Sequence, residues 1–174
     1  SCGHCLRSPP AFDRTYALFA YDFPIDALVH LLKYGHWLII ADWFGMQLAR
    51  QLSSLQASAI IPLPLHPEKL RERGFNQSLE IARPLAKALK IDVAANICQR
   101  IRATHTQTDL PLKERPANVR NAFHCSDRLD GQHLLLLDDV MTTGATLHEC
   151  AKALKRQGAA EVTAIVVSRT QKHG

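Results

Sequence analysis

The sequence predicts an α/β domain whose mainly parallel sheet is flanked by helices. Apolar stretches of strand length alternate with amphipathic helical stretches across the C-terminal two-thirds of the chain. The last two strand segments are continuously apolar, which is typical of parallel strands buried on both faces. The 174 residues, 47% hydrophobic and 21% charged, suffice for one domain with a sizeable core.

The N-terminal residues carry a cysteine pair. We expect residues 1–20 to be the remnant of an N-terminal segment and residues 21–174 to form the domain. Cys2 and Cys5 have metal-ligand spacing, but a structural zinc uses four ligands, usually from two such pairs. The chain has no second Cys-x-x-Cys, so this set is incomplete and Zn²⁺ is expected in a longer parent chain. Cys125 and Cys150 stand at apolar positions that suit buried thiols.

The first half of the chain predicts three helices and a strand. The first helix ends at Gly35, where glycine fits the C-terminal cap. A second amphipathic helix covers about 41–55. Residues 58–65 predict a short strand that continues into a loop stiffened by prolines. The third helix covers 79–90, with Pro84 kinking it.

The second half predicts strands at 122–125, Leu134–Leu137 and Glu161–Ser168. Between the last two, Thr146 and Glu149 have the spacing of a capping box, in which each side chain bonds the backbone N–H of the other. We therefore expect a helix to begin there.

Two carboxylates, Asp138 and Asp139, follow the strand Leu134–Leu137, where ligands sit in an open parallel sheet. A thin loop then leads to the positive end of the next helix. Its backbone N–H groups and hydroxyls can cradle one phosphate. The loop residues are Thr142, Thr143, Gly144, Ala145 and Thr146. The carboxylates would repel a phosphate, so they suit donors beside it, such as two sugar hydroxyls, or a bound magnesium ion.

Together, a phosphate and a neighbouring diol describe a ribose 5-phosphate. Two adjacent acids after a strand have two other interpretations. A Walker B segment would need a Gly-x-x-x-x-Gly-Lys-Ser/Thr loop, which the sequence lacks. Two acids before a turn can also be ordinary loop polarity, but the capping box, the thin loop and the strand-to-helix context together favour a site.

The stretch "LLLLDDVMTTGAT" resembles the phosphoribosyl pyrophosphate (PRPP) motif of type I phosphoribosyltransferases. Two more blocks, "PLPLHPEKLRERGFNQSLEIA" from Pro62 and "RATHTQTDLPLKERPANVRNAF" from Arg102, are similar to the ComF/GntX family. The resemblance implies a type I phosphoribosyltransferase-like fold that binds PRPP with Mg²⁺, and a link to DNA uptake in natural competence.

The resemblance also implies roles for individual residues. Asp138 and Asp139 would be the catalytic carboxylates that hold the ribose hydroxyls, and the thin loop would bind the 5-phosphate. The irregular segment 102–120 resembles a mobile loop that closes over the site. The pyrophosphate is expected to bind Lys69, Arg71, Arg73 and Arg102, with Thr104, Gln107, Lys113 and Arg115 also available. Glutamates interleave with these cations, so a solvated charged surface remains the alternative.

Composition limits the partners. The formal charge of +5 favours phosphorylated small molecules, nucleic acid or both. The most apolar stretch, residues 37–44, is too short to span a bilayer, and no secretion signal opens the chain. We therefore expect a cytoplasmic protein without membrane insertion; the oligomeric state is left open.

Three functions fit these observations. The first is a PRPP-binding protein of the ComF/GntX type, associated with the uptake or handling of single-stranded DNA. The second is an active phosphoribosyltransferase that converts a free base and PRPP to a nucleotide plus pyrophosphate. The third is a non-catalytic PRPP sensor.

Overall fold

The computed structural model describes residues 9–102 and 119–170 of the chain. Strands and helices are numbered here in chain order. The strands are β1 (Arg14–Ala20), β2 (Ala59–Pro62), β3 (Asp92–Val93), β4 (Cys98–Arg100), β5 (Phe123–Cys125), β6 (His133–Met141) and β7 (Glu161–Arg169). The helices are α1 (Ile25–Gly35), α2 (Leu38–Gln51), α3 (Pro67–Arg73), α4 (Gln77–Leu89) and α5 (Ala145–Arg156).

Within the described residues, five strands form one sheet in the order β1-β7-β6-β2-β3. Every pairing in this sheet is parallel. The strands β4 and β5 form a separate antiparallel pair. The prediction of an α/β fold with a mainly parallel sheet is therefore confirmed.

Helices cover both faces of the sheet and form two cores. On one face, α5 packs with the β4–β5 pair; on the other face, α1, α2 and α4 pack together. Leucines of β6 alternate between these cores, with Leu134 and Leu136 in the first and Leu135 and Leu137 in the second. A strand buried on both faces has no polar side, which explains the continuous apolar run in the sequence.

The chain changes direction across the sheet between β2 and β6. From β2 it passes through α3 and α4 to β3 at one edge, whereas from β6 it passes through α5 to β7, toward the other edge. Loops that follow two such strands diverge and leave a crevice at the carboxyl ends of the strands. The loops after Pro62 and Met141 border this crevice, which makes it the natural position for a ligand.

An N-terminal strand completes the sheet at its edge. β1 pairs in parallel with β7 from Arg14 to Ala20. Residues 14–20, which the sequence assigns to the N-terminal segment, therefore belong to the domain. No residue of β1 is fully buried, although residues 16–20 form an unbroken apolar run.

The helices lie close to their predicted positions. α1 ends at Gly35 as predicted, whereas α2 begins earlier, at Leu38 rather than near residue 41. α4 begins at Gln77, because the Asn76 side chain caps its first N–H groups. At 14 residues, α2 is the longest helix of the described ranges, and none of these helices is long and apolar enough to cross a membrane.

The helix after the carboxylates starts differently from the prediction. α5 begins at Ala145, and its N-cap is Gly144, whose φ of 79° lies in the left-handed region that glycine tolerates without strain. The predicted capping box of Thr146 and Glu149 is therefore wrong. Oε2 of Glu149 instead accepts a hydrogen bond from the backbone N–H of Asn121 at 2.8 Å.

Gly45 lets α2 and α4 approach each other closely. A Cβ atom here would lie 2.5 Å from Cγ of Pro84 and 2.7 Å from the carbonyl oxygen of Ile81. We expect Gly45→Ala to lower the free energy of unfolding by about 1–3 kcal/mol, because overpacking outweighs the better helix propensity of alanine. Urea denaturation measures this change, and Met46→Ala at the adjacent exposed position should cost less than about 0.5 kcal/mol. An unchanged value for Gly45→Ala would show that the helices do not meet there.

Candidate functional site

The crevice opens because β2 ends before β6 does. β2 pairs with β6 only as far as Leu137, whereas β7 pairs with β6 to the end of that strand. The N–H of Leu63 still bonds the carbonyl of Leu137 at 2.8 Å, but Pro64 has no N–H to continue the ladder. Asp138 and Asp139 therefore lie within β6 rather than after it, with a paired strand on one side only.

Asp139 is held by a lysine of α1. Nζ of Lys33 lies 2.6 Å from Oδ2 of Asp139, whose side chain is only 5% exposed. Burial alone would raise the pKa of Asp139, but the charge and hydrogen bond of Lys33 outweigh burial and lower that pKa. For Lys33 the opposing effects are burial, which lowers its pKa, and Asp139, which raises it; the net shift is upward. Both groups are therefore charged at neutral pH.

Asp138 is the more accessible carboxylate of the pair. Its Oδ1 accepts a hydrogen bond from the Ser78 hydroxyl at 3.3 Å and one from the backbone N–H of Asp139 at 2.9 Å. Burial, followed by the charge of the Asp139 carboxylate, raises the pKa of Asp138 well above its usual range. Ionised Asp138 is therefore costly until a hydrogen-bond donor or a cation approaches it, and a ligand can supply either.

The loop after β6 is held by local hydrogen bonds. The backbone N–H of Ala145 donates to Oγ1 of Thr143 at 3.3 Å, and the carbonyl of Thr142 accepts from the Thr170 hydroxyl at 3.4 Å. The first N–H groups of an α-helix have no intrahelical partner, and the helix dipole makes this end positive. The structure thus brings together, at the start of α5, the predicted phosphate-binding residues Thr142, Thr143, Gly144, Ala145 and Thr146. Phosphate binding by them stays a prediction.

A basic cavity of about 190 Å³ adjoins the carboxylates. It lies between the end of α1 and helix α3, and Lys33, the partner of Asp139, forms part of its wall. Its lining residues are Lys33, Tyr34, His36, Lys69, Glu72 and Arg73. Lys69 and Arg73 outnumber the single Glu72 in this lining, and Lys33 is already paired with Asp139, so the cavity is net positive and favours an anion.

The predicted pyrophosphate-binding residues occupy three different places. Lys69 and Arg73 line the basic cavity. Arg71 is exposed on α3 and is not part of that lining. Nη1 of Arg102 donates to the carbonyl of Arg120 at 2.8 Å. The remaining residues of the predicted closing loop, Thr104, Gln107, Lys113 and Arg115, lie outside the described residues.

The cysteines fall into two groups, the predicted zinc ligands and three buried thiols. Cys2 and Cys5 lie outside the described residues, so zinc binding stays a prediction. Within 9–102 and 119–170, no group of three or more His, Cys, Asp or Glu side chains is arranged to hold a metal ion. Three buried free thiols do converge, with Sγ of Cys98 lying 2.7 Å from that of Cys125 and 3.6 Å from that of Cys150. The hydrogen bond to Cys98 and burial raise the pKa of Cys125, so this thiol stays protonated.

Sequence reasoning missed three side chains around the carboxylates: Lys33, Ser78 and Arg100. Lys33 had a usable signal, because it follows Val29 by four residues and so lies on the buried stripe of α1. Ser78 is a buried polar residue in the first turn of α4. Arg100 lies on β4, where burial lowers its pKa and the Asp138 carboxylate partly offsets that effect. No sequence pattern indicates that Ser78 and Arg100 approach Asp138; the fold brings them there.

The two carboxylates contribute to stability with opposite signs. Because the pKa of Asp139 is lowered, its contribution is present above the unfolded value of about 3.9 and is lost as the pH falls through the folded value. Because the pKa of Asp138 is raised, stability is lost as the pH rises through that folded pKa.

We therefore expect the two amide substitutions to shift the free energy of unfolding at pH 7 in opposite directions. Asp139→Asn should lower it by roughly 3 kcal/mol, because Lys33 is left unpaired. Asp138→Asn should raise it, because the unfavourable ionisation is removed. Urea denaturation at pH 5 and pH 8 measures both effects. Equal losses in the two variants would contradict the assignment of the ion pair to Asp139.

Comparisons with known proteins match this chain to one family. Residues 76–173 match the family described as "Phosphoribosyl transferase domain". The chain is 36% identical to "DNA utilization protein YhgH" of Shigella flexneri, over 97% of this chain and 78% of that protein. It is 31% identical to "Competence protein F" of Haemophilus influenzae, over 92% of this chain and 75% of that protein. A purine phosphoribosyltransferase from Pyrococcus horikoshii superposes with a TM-score of 0.48 at 18% identity, over 78% of this chain and 84% of that one.

Proposed function

Because this chain belongs to the phosphoribosyl transferase domain family and to the ComF family within it, we propose that it binds PRPP in the crevice between β2 and β6. One observation carries the proposal. The carboxylates Asp138 and Asp139 lie on β6 directly before a thin loop and the positive end of α5. Carboxylates suit the hydroxyls of a sugar diol and the N–H groups at a helix start suit a phosphate beside it. All of these groups fall within the matched span.

The proposed pose assigns each part of PRPP to one group of residues. Asp138 accepts hydrogen bonds from the ribose hydroxyls, because its charge still needs donors. Asp139, paired with Lys33, fixes α1 against β6 at the edge of the site. Asp138 rather than Asp139 makes the main contact with the ribose. Residues 142–146 hold the 5-phosphate through backbone N–H groups.

The pyrophosphate of PRPP is assigned to the basic cavity. Lys69 and Arg73 line it, and Lys33 links it to the carboxylates. Nη1 of Arg73 donates to Oε1 of Gln77 at 2.6 Å, which holds the guanidinium at the cavity wall.

Magnesium fits this pose as an ion carried by PRPP. The carboxylate of Asp139 already contacts Lys33, so Asp138 is the carboxylate available to a cation. Mg²⁺ commonly takes one or two carboxylates and completes its shell with substrate phosphates and water. When bound, it would neutralise the charge of the pyrophosphate.

We extend the proposal to DNA uptake in natural competence, with single-stranded DNA as a partner. The relatives named for DNA utilization and for competence support this step, as does the formal charge of +5. PRPP is an intracellular metabolite, so the cytoplasm stays the predicted compartment.

An active phosphoribosyltransferase is the second candidate, which the matched domain favours. In that reaction a base nitrogen bonds to C1 of the ribose while the C1–O bond to pyrophosphate breaks. The cavity cations would stabilise the departing charge. Incubation of PRPP and Mg²⁺ with a panel of free bases decides between the two candidates. Release of pyrophosphate that depends on one base establishes the enzyme, whereas binding without turnover across the panel supports a binding protein or sensor.

Removal of the Asp138 charge should weaken PRPP binding. We expect Asp138→Asn to raise the Kd for PRPP with Mg²⁺ about 10- to 100-fold, because charge-assisted bonds worth about 1.5–3 kcal/mol are lost. Isothermal titration calorimetry measures the affinity. Asp127→Asn removes an exposed carboxylate that bonds only the neighbouring Ser126 among the described contacts, and should leave the Kd unchanged. Unchanged affinity in Asp138→Asn would remove the ribose from this position.

Arg73 should contribute to the binding of inorganic pyrophosphate, the part of PRPP assigned to the cavity. We expect Arg73→Ala to raise the Kd for inorganic pyrophosphate about tenfold or more, because a charged donor to the anion is lost. The matched control is Arg128→Ala, which removes an exposed arginine paired with Asp130 away from the cavity. Calorimetry with pyrophosphate and Mg²⁺ gives both values, and equal affinities for the two variants would place the pyrophosphate elsewhere.

A further inference from the structure

Aromatic side chains are exposed next to the basic cavity. Tyr34 lies in the last turn of α1 and Trp37 lies between α1 and α2; these residues are 60% and 57% exposed. Tyr34 also lines the basic cavity. We call these two rings the aromatic rim. Rings of this size are usually buried, so two of them beside an anion-binding cavity indicate a partner with planar apolar groups and negative charge.

Neighbouring groups hold both rings of the aromatic rim. Trp37 lies against Gly35, where a Cβ atom would come within 3.2 Å of Cδ1 of the indole. The Tyr34 ring lies 4.8 Å from the His30 ring, and Cζ of Arg73 lies 5.6 Å from its centroid. Rings that are already positioned lose less conformational entropy when a flat ligand stacks on them.

The charge beside the aromatic rim is positive. Lys69 and Arg73 line the adjoining cavity. The one acid of that lining, Glu72, is neutralised by Nζ of Lys69 at 2.9 Å. A phosphate attached to a base on Tyr34 would meet the guanidinium of Arg73, because that group already lies at the ring.

We propose that the aromatic rim binds single-stranded nucleic acid, with bases stacking on Tyr34 and Trp37 and a backbone phosphate contacting Arg73. Stacking on protein aromatics combined with backbone neutralisation is how proteins bind single strands without reading their sequence. A duplex does not present the faces of its bases, so the partner is single-stranded. The choice of partner rests on the proposed function, in which the protein handles DNA.

A second exposed surface allows a matched control. Trp43, on the outer side of α2, is 43% exposed, and its ring stacks on Phe19 with centroids 5.8 Å apart. The chain contains only two tryptophans. The variant Trp43→Phe therefore reports fluorescence from Trp37 alone, and Trp37→Phe reports from Trp43 alone.

The test titrates both single-tryptophan variants with a deoxythymidine oligonucleotide at low salt. We expect strong quenching of Trp37 fluorescence and no change for Trp43, because stacking quenches only the contacted indole. Trp37→Ala should weaken oligonucleotide binding about fivefold or more, since each stacked base contributes about 1–3 kcal/mol. Its affinity for PRPP should equal that of the wild-type chain, because Trp37 takes no part in the PRPP site.

Three results would overturn the inference. One is unchanged Trp37 emission at saturating oligonucleotide. Another is equal quenching of Trp37 by inorganic polyphosphate, which has charge but no bases. The third is a Trp37 signal that depends on protein concentration without DNA, which would make the aromatic rim an interface between copies of the chain. A PRPP titration of the same proteins separates the two proposals: quenching of Trp37 without PRPP binding keeps this inference and removes the PRPP site.

Discussion

The early end of β2 is the constraint on which the site depends. Pro64 cannot donate a backbone hydrogen bond, so the ladder between β2 and β6 stops after Leu63 bonds Leu137. Beyond that point β6 continues beside β7 only. Two adjacent carboxylates would be costly inside a fully paired sheet. Because the gap lies where the crossover helices diverge, α1 borders it on one side and the loop of residues 142–146 on the other.

Charge within the crevice is divided between the two aspartates. Lys33 neutralises Asp139 at 2.6 Å, and this pair ties α1 to the central strand. Asp138 accepts hydrogen bonds from the Ser78 hydroxyl and from a backbone N–H, and its charge interacts with that of Arg100. Adjacent carboxylates cannot ionise independently. Because Lys33 pairs with Asp139, Asp138 is the carboxylate left for the proposed ligand, whose binding would recover the cost of ionising Asp138.

The sequence predicts the fold well because buried parallel strands and amphipathic helices have clear periods. The strand through Leu134–Leu137 and the helix ending at Gly35 are examples. β1 is not predicted, because its apolar residues 16–20 stand apart from the alternating strands and helices of the C-terminal two-thirds. The capping box fails because the left-handed Gly144 starts the helix before Thr146. Local patterns identify Asp138 and Asp139, but Lys33 is 106 positions away from Asp139 and only tertiary packing brings them together.

The proposed PRPP site and the proposed nucleic-acid site differ in how exposed they are to solvent. The carboxylates are largely enclosed, so salt screens a ligand held there only weakly. The aromatic rim is open to solvent, where counterions compete with the phosphates of a bound strand. Arg73 joins the two surfaces, because it lines the cavity and lies over the Tyr34 ring. A single guanidinium cannot serve both anions fully, so occupation of one surface must alter the affinity of the other by the same factor in both directions.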